Sequence, residues 1–201
     1  LIFDECTSGF RQTYGGIHKK YNVEPDIAMF GKALGNGYSI TAVVGKKDIM
    51  EAAQNTFISS TFWTERIGPA AALKTLEIME GLKSWNIISD RGFYIKEQWK
   101  KISSDYDIDI SISGIDALPS FRFKSQNHLA YKTFITQEML KKNFLANTSV
   151  YVCTEHSREI IDIYLTELRE IFSIIRDCED GKDINSILDG PVCHDGFSRL
   201  N

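Results

Sequence analysis

Three short apolar runs separated by glycine-containing turns occupy the N-terminal part of the chain and constrain its fold more than any other feature. The runs lie at residues 1–3, 27–30 and 40–44, and a helical stretch follows at residues 48–54. Short continuous apolar strands are typical of a parallel sheet that is covered by helices on both faces. Their alternation with helical segments predicts an α/β fold with a mainly parallel sheet.

A helix is predicted from Pro69 onward, because proline suits the first turn of a helix and residues 70–79 are rich in strong helix formers. We expect Gly81 to kink or interrupt this helix before a second helical stretch at residues 85–102. The pattern of the sequence changes from Pro69 onward, and we expect a second domain to begin at about residue 82.

The sequence pattern of residues 82–201 predicts a smaller α+β domain. Its strand, strand, helix and strand segments lie, in that order, at residues 107–113, 121–124, 129–142 and 149–153. Ser157 is placed to cap a last helix, with Glu159 in the first turn. That helix carries apolar residues at helical spacing along one face: Ile161, Leu165, Leu168, Phe172 and Ile175.

Composition excludes several classes of protein. The 201 residues include 23 Lys+Arg and 27 Asp+Glu, giving a formal net charge of −4, and 43% of them are hydrophobic. Such a chain is not disordered and is not a nucleic-acid binder that works by bulk positive charge. No apolar run approaches the roughly 18 residues of a membrane span. The cysteines and histidines lack metal-ligand spacing, so we expect no metal site, and dispersed thiols fit a cytoplasmic protein.

The window at residues 30–37 is the richest in chemistry. Lys32 directly follows the second apolar run, is preceded by Gly31, and is followed by Gly35 and Gly37. The carboxyl ends of parallel strands form the ligand-binding edge of open α/β sheets. A lysine there is expected to be partly desolvated, which lowers a lysine's pKa, and a neutral amine can form a Schiff base with an aldehyde. The alternative is an ordinary glycine-lysine turn.

Two other segments suggest binding groups. Asp4 and Glu5 end the first run, where a buried carboxylate could hold a cationic ring nitrogen, although a solvated strand end is the simpler alternative. Hydroxyl side chains at residues 59–64 precede the predicted helix, and such a position suits a phosphate group. Plain helix capping is the alternative there.

Taken together and in order, these segments resemble the class III family of pyridoxal-phosphate-dependent aminotransferases, nearest to the branch that contains glutamate-1-semialdehyde aminomutase. The matching motifs are Asp4-Glu5-x-x-Ser8-Gly9-Phe10-Arg11, Gly15-Gly16, Pro25-Asp26-Ile27, Gly31-Lys32-Ala33-Leu34-Gly35-Asn36-Gly37 and Ala42-Val43-Val44-Gly45. The resemblance is strong over residues 1–80 and weaker but consistent beyond them. It implies a fold-type-I transferase in which residues 1–81 form the C-terminal part of the large cofactor-binding domain and residues 82–201 form the small C-terminal domain.

The resemblance also implies a role for individual residues. Lys32 falls on the lysine that binds pyridoxal phosphate as a Schiff base, and Asp4 falls on the carboxylate that pairs with the pyridine nitrogen. Cys6 stands where the family usually has an aliphatic residue packed on the cofactor ring, and a thiol can fill that place as a small hydrophobe. Thr64 is the expected phosphate ligand, contributed to the partner subunit of a homodimer, with Thr61 as the alternative.

The implied reaction transfers an amino group between a small-molecule amino donor and a carbonyl acceptor. Intramolecular amine transfer by an aminomutase is the alternative, and the residues do not separate the two. A non-catalytic binding protein on the same fold is less favoured, because Lys32 and Asp4 are both present. In the family a phosphate-binding loop and an aromatic residue stacked on the cofactor lie upstream of the position of Leu1. We therefore expect the 201 residues alone to be an inactive fragment.

Overall fold

A computed structural model describes residues 1–58, 61 and 64–196, which fall into two compact units, Leu1–Ser89 and Asp90–Asn201. The strands are β1 (Ile2–Asp4), β2 (Ile27–Phe30), β3 (Ala42–Gly45), β4 (Ile110–Ser113) and β5 (Ser120–Phe123). The α-helices are α1 (Lys47–Met50), α2 (Ile67–Leu82), α3 (Ser84–Asp105), α4 (His128–Lys141) and α5 (Arg158–Glu179). Short 3₁₀ helices lie at Ile17–Tyr21, Lys32–Leu34, Glu51–Asn55 and Ile184–Ile187. Within the described part of the chain, no helix is both long enough and apolar enough to cross a membrane.

In the first unit, β1, β2 and β3 form a sheet in that order. β1 and β2 are parallel, with Ile2 opposite Ile27, whereas β3 is antiparallel to β2. The direction of β3 differs from the parallel arrangement expected from the sequence. A parallel crossover needs a dozen or more residues and usually an α-helix, but residues 31–41 contain only the 3₁₀ helix Lys32–Leu34.

One face of this sheet carries the apolar core of the first unit. Ala28, Phe30, Leu34 and Ala72 form a buried cluster, so α2 packs through Ala72 against the β2 side chains. On the opposite face, Ile2 is 62% exposed and Val43 is 53% exposed. We expected a sheet covered on both faces. Among the described residues, helix α2 covers one face of the sheet and the other face stays exposed, so this expectation is wrong for them.

Helix α2 starts near Pro69 as predicted, with the proline in its first turn. Gly81 lies within the helix and does not break it. The break falls at Lys83, whose φ of 50° is left-handed and whose backbone N–H bonds to the carbonyl oxygen of Met79. This residue ends α2 before α3 begins at Ser84.

The second unit has a core of large side chains between its helices and the β4–β5 hairpin. β4 and β5 are antiparallel, with Ile110 opposite Phe123, as the alternating sequence predicts. The predicted apolar face of α5 is confirmed, because each of its residues is buried: Ile161, Leu165, Leu168, Phe172 and Ile175. The Ser157 hydroxyl accepts a hydrogen bond from the backbone N–H of Ile160, which confirms the predicted cap.

The strand predicted at residues 149–153 is wrong. Ser149 forms a single isolated bridge with Ser120, and the backbone N–H groups of Val150 and Val152 donate to the carbonyls of Pro119 and Ala117. Pro119 has no N–H to donate in return. The segment therefore runs beside the start of β5 without a regular ladder.

Candidate active site

The predicted catalytic residues lie at the carboxyl ends of two neighbouring parallel strands. Asp4 is the last residue of β1 and pairs with Met29 of β2, and Lys32 follows the end of β2 by two residues. Both side chains are exposed, so the burial expected for each is wrong for the described residues. Asp4 shares a sheet face with the exposed Ile2, because side chains alternate along a strand. Lys32 projects from the start of a 3₁₀ helix.

The Asp4 carboxylate is held ionised by its neighbours. The backbone N–H of Cys6 donates to Asp4 Oδ1 at 3.0 Å. This bond and the hydrogen bond from the Cys6 thiol outweigh desolvation and lower the pKa of Asp4, and the positive charge of Lys32 lowers it slightly further. A carboxylate in this state can hold a cationic partner at neutral pH.

Lys32 adopts a strained backbone conformation for a residue with a side chain. Its φ of 43° lies in the left-handed region, which non-glycine residues seldom occupy and which is over-represented at functional sites. Its Nζ donates a hydrogen bond to the Thr7 hydroxyl at 2.7 Å. The amine is thus drawn toward the loop that follows β1.

Cys6 lies next to the two predicted catalytic residues. Its Sγ is 3.5 Å from the point where a Cβ at Gly31 would sit, so the thiol packs beside the residue that precedes Lys32. The hydrogen bond to the Asp4 carboxylate, with desolvation, raises the pKa of the Cys6 thiol. Cys6 therefore stays protonated and is a poor nucleophile at neutral pH.

Glu5, by contrast, is a buried structural carboxylate that the sequence did not separate from Asp4. It is 1% exposed, and it accepts hydrogen bonds from the Ser8 hydroxyl and from the backbone N–H groups of Ile17 and His18. The His18 ring contacts the same carboxylate at 3.0 Å. Strand alternation was the available signal, because Glu5 shares its face with Phe3 and not with Asp4.

The two predicted phosphate ligands, Thr61 and Thr64, are exposed residues that precede α2. The hydroxyls at Ser59 and Ser60 lie outside the described residues. The role of either threonine in phosphate binding stays a prediction.

The N-terminus of α2 is already occupied by a side chain. The Glu65 carboxylate accepts hydrogen bonds from the backbone N–H groups of Ile67 and Gly68, at 2.7 and 3.1 Å. A carboxylate at this position satisfies the free amides of a first helical turn. A phosphate near this helix would therefore depend on the threonine hydroxyls more than on these two amides.

A lysine amine and an ionised aspartate at adjacent strand ends of an α/β sheet define a site suited to a cofactor with an aldehyde and a cationic ring nitrogen. Residues 1–161 match the protein-family model "Aminotransferase class-III". The chain belongs to this family, whose members are pyridoxal-phosphate-dependent enzymes.

Individual relatives agree with this assignment. The chain is 32% identical over 182 residues to the 3-aminobutyryl-CoA aminotransferase of Cloacimonas acidaminovorans, covering 88% of this chain and 44% of that protein. It is 27% identical over 192 residues to the glutamate-1-semialdehyde 2,1-aminomutase of Sulfurihydrogenibium azorense, covering 87% of this chain and 45% of that protein. The chain thus spans less than half the length of these curated relatives.

Solved structures agree at the level of the fold. The internal aldimine form of the Sphingopyxis sp. MTA144 FumI protein, which carries pyridoxal phosphate, superposes with a TM-score of 0.81 at 20% identity. The match covers 93% of this chain and 46% of that one. The predicted fold class, a partial fold-type-I transferase, is therefore confirmed. The assignment of residues 1–81 and 82–201 to a large and a small domain stays a prediction.

Proposed function

We propose that the whole protein is a pyridoxal-phosphate-dependent aminotransferase that moves an amino group from a small-molecule donor to a carbonyl acceptor. The placement of the Lys32 amine and the Asp4 carboxylate at the ends of neighbouring parallel strands carries this proposal. The donor set fits the cofactor. A primary amine can hold an aldehyde, and a carboxylate with a lowered pKa can hold a protonated ring nitrogen.

Each residue has a separate part in the proposed reaction. When bound, pyridoxal phosphate supplies an electron sink for the carbanion formed at the substrate's Cα. Asp4 keeps its negative charge beside the ring nitrogen. Lys32 Nζ would hold the cofactor aldehyde, and as a free amine it would take the proton from the substrate's Cα and deliver it to the cofactor's C4′ carbon. Cys6, which packs beside Gly31, would pack on the cofactor ring in place of an aliphatic residue.

The test is covalent capture of the cofactor by the full-length protein. Added pyridoxal phosphate should produce a visible absorption band, and borohydride reduction should fix the cofactor on the peptide that contains Lys32. Lys32→Ala should abolish the fixed adduct and lower turnover by at least about 10²-fold. Lys74→Ala, at an exposed position of α2, should retain both.

The opposite results have clear meanings. If Lys32→Ala still holds covalent cofactor at the wild-type level, the assignment of Lys32 is wrong. Binding of cofactor without turnover on any amino donor would favour a non-catalytic binding protein on the same fold.

Intramolecular amine transfer is the second candidate function, and it is supported by similarity to glutamate-1-semialdehyde 2,1-aminomutases. The two reactions differ in their need for an external donor. An aminotransferase turns over only when an amino donor and a carbonyl acceptor are both supplied. An aminomutase turns over one substrate that carries both groups.

Assembly and location are further parts of the proposal. We propose a homodimer in which Thr64, or alternatively Thr61, reaches the cofactor phosphate of the partner subunit. The exposure of both threonines supports this, and sedimentation of the full-length protein tests it. A cytoplasmic location is supported by four cysteines that are free thiols, since a reducing compartment keeps thiols unpaired.

A further inference from the structure

Thr7 connects the two strand ends that carry the proposed chemistry. It lies in the loop after β1, and its hydroxyl accepts a hydrogen bond from Lys32 Nζ at 2.7 Å across 25 residues of sequence. An ammonium group has three donors and no acceptor. The Thr7 hydroxyl oxygen therefore serves as the hydrogen-bond acceptor that fixes the direction of the lysine side chain.

The loop that carries Thr7 is held in place on both sides. The Arg11 guanidinium Nε donates to the Thr7 carbonyl oxygen at 2.7 Å, and the Gly9 backbone N–H donates to the Glu5 carbonyl oxygen at 2.8 Å. A Cβ at Gly9 would lie 2.7 Å from that same oxygen. Only a glycine permits this close approach, so the turn that presents Thr7 depends on Gly9.

The buried Glu5 carboxylate also holds the loop that carries Thr7. It ties the residue next to β1 to the backbone N–H groups of Ile17 and His18. The loop is thus anchored at its start and again beyond its middle. A hydroxyl on a loop held in this way is preorganised, so it can orient a flexible side chain at little entropic cost.

We propose that Thr7 is a positioning residue for Lys32, because the Thr7 hydroxyl orients the lysine amine for capture of the cofactor aldehyde. In that capture the neutral amine nitrogen would bond to the aldehyde carbon, and the carbonyl oxygen would leave as water. The inference rests on the proposed function, because it assigns Thr7 a part in the same site. The hydroxyl is the required group. A side chain of the same size without oxygen would leave the four-carbon lysine stem free to sample other rotamers.

The experiment measures the rate at which cofactor-free full-length protein captures pyridoxal phosphate covalently, followed by absorbance and fixed with borohydride. Thr7→Val, which keeps the shape and removes the hydroxyl, should slow capture about tenfold. Thr7→Ser should stay within about threefold of the wild type. Thr56→Val, whose hydroxyl bonds the Ala53 carbonyl oxygen, should capture at the wild-type rate.

The readout distinguishes positioning from folding. Because Thr7→Val and Thr7→Ser both alter the loop but differ in the hydroxyl, a structural role alone would slow both equally, and that result would overturn the proposal. Thr7→Ala provides the same comparison if the valine variant is poorly folded. Capture by Thr7→Val at the wild-type rate would also overturn it.

Failure of the proposed function gives a different pattern. In that case the wild type captures no cofactor on Lys32, or Lys32→Ala captures it equally well, and the proposal for Thr7 falls with it. When wild-type capture on Lys32 is intact and only the Thr7 variants fail to differ, the proposed function stands and the role of Thr7 is rejected.

Discussion

The second unit is held by large buried side chains, whereas the first unit has a smaller cluster packed on one face of a short sheet. Trp99, Tyr131 and Phe172 are each 0% exposed in the second unit. In the first unit the buried cluster contains one large ring, that of Phe30. The loops of the first unit are ordered by polar contacts, chiefly those of Glu5.

The proposed chemistry lies entirely in the unit with the smaller core. Asp4 ends β1, Thr7 follows β1 and Lys32 follows β2, and none of the three is fully buried. Apolar burial and the geometry of the site are therefore maintained by different residues. Substitutions that remove apolar burial should unfold the second unit, and substitutions that remove polar contacts should loosen the first.

The largest expected effect tests the core of the second unit. The Phe172 ring lies 5.4 Å from that of Phe123 and 6.1 Å from that of Phe121, measured between centroids. Phe172→Ala should lower the free energy of unfolding by about 3–5 kcal/mol, since it removes buried apolar area and leaves a cavity. Urea unfolding of the full-length protein measures this.

Phe93→Ala is the matched control, because Phe93 is 57% exposed on α3. Exposed substitutions change stability by only about 0.5 kcal/mol. Equal losses for the two variants would mean that the aromatic core does not dominate the stability of this unit.

Much of the second unit was predictable because its signals are local. The helical spacing from Ile161 to Ile175, the cap at Ser157 and the alternation in β4 and β5 each depend on residues within a few positions of one another. The strand predicted at residues 149–153 failed because pairing depends on a partner distant in sequence, here one that contains Pro119.

In the first unit, the order of motifs identified Asp4 and Lys32, but the sequence alone did not indicate how they are held. The bond between Lys32 and Thr7 exists only once β1 and β2 pair in parallel. Asp4 and Glu5 are adjacent and chemically alike, and only strand alternation separates the exposed one from the buried one. The direction of β3 depended on the length of the preceding connection.

An intermediate effect tests whether polar contacts order the first unit. Glu5→Gln keeps the size of the side chain but turns one hydrogen-bond acceptor into a donor that faces the N–H groups of Ile17 and His18. We expect a loss of about 1.5–3 kcal/mol in the free energy of unfolding, because hydrogen bonds to charged groups contribute this much. Urea unfolding at neutral pH measures the loss.

The pH dependence of stability adds a second readout for Glu5. Burial alone would raise its pKa, but hydrogen bonds from Ser8, Ile17 and His18 outweigh burial and lower the pKa below 4.5. The stabilisation is therefore complete above the ordinary glutamate pKa and is lost as the pH falls through the lower, folded value. Glu5→Gln should remove that acid-side loss. Glu51→Gln, at an exposed site, should retain it, and identical acid profiles for both variants would contradict the structural role of Glu5.

The smallest expected effect returns to the second unit and asks how much one polar contact contributes where apolar burial dominates. Ser157 Oγ accepts the Ile160 N–H at 3.2 Å, and Ser157→Ala removes this acceptor. We expect a loss of about 1 kcal/mol, below that of Glu5→Gln and well below that of Phe172→Ala. Ser157→Asp should retain the stability, because aspartate also caps and its charge favours a helix N-terminus.

Hydrogen exchange of the first-turn amides of α5 reports the change locally. A loss from Ser157→Ala as large as that from Phe172→Ala would show that the second unit also depends on single polar contacts, and the contrast between the two units would no longer hold.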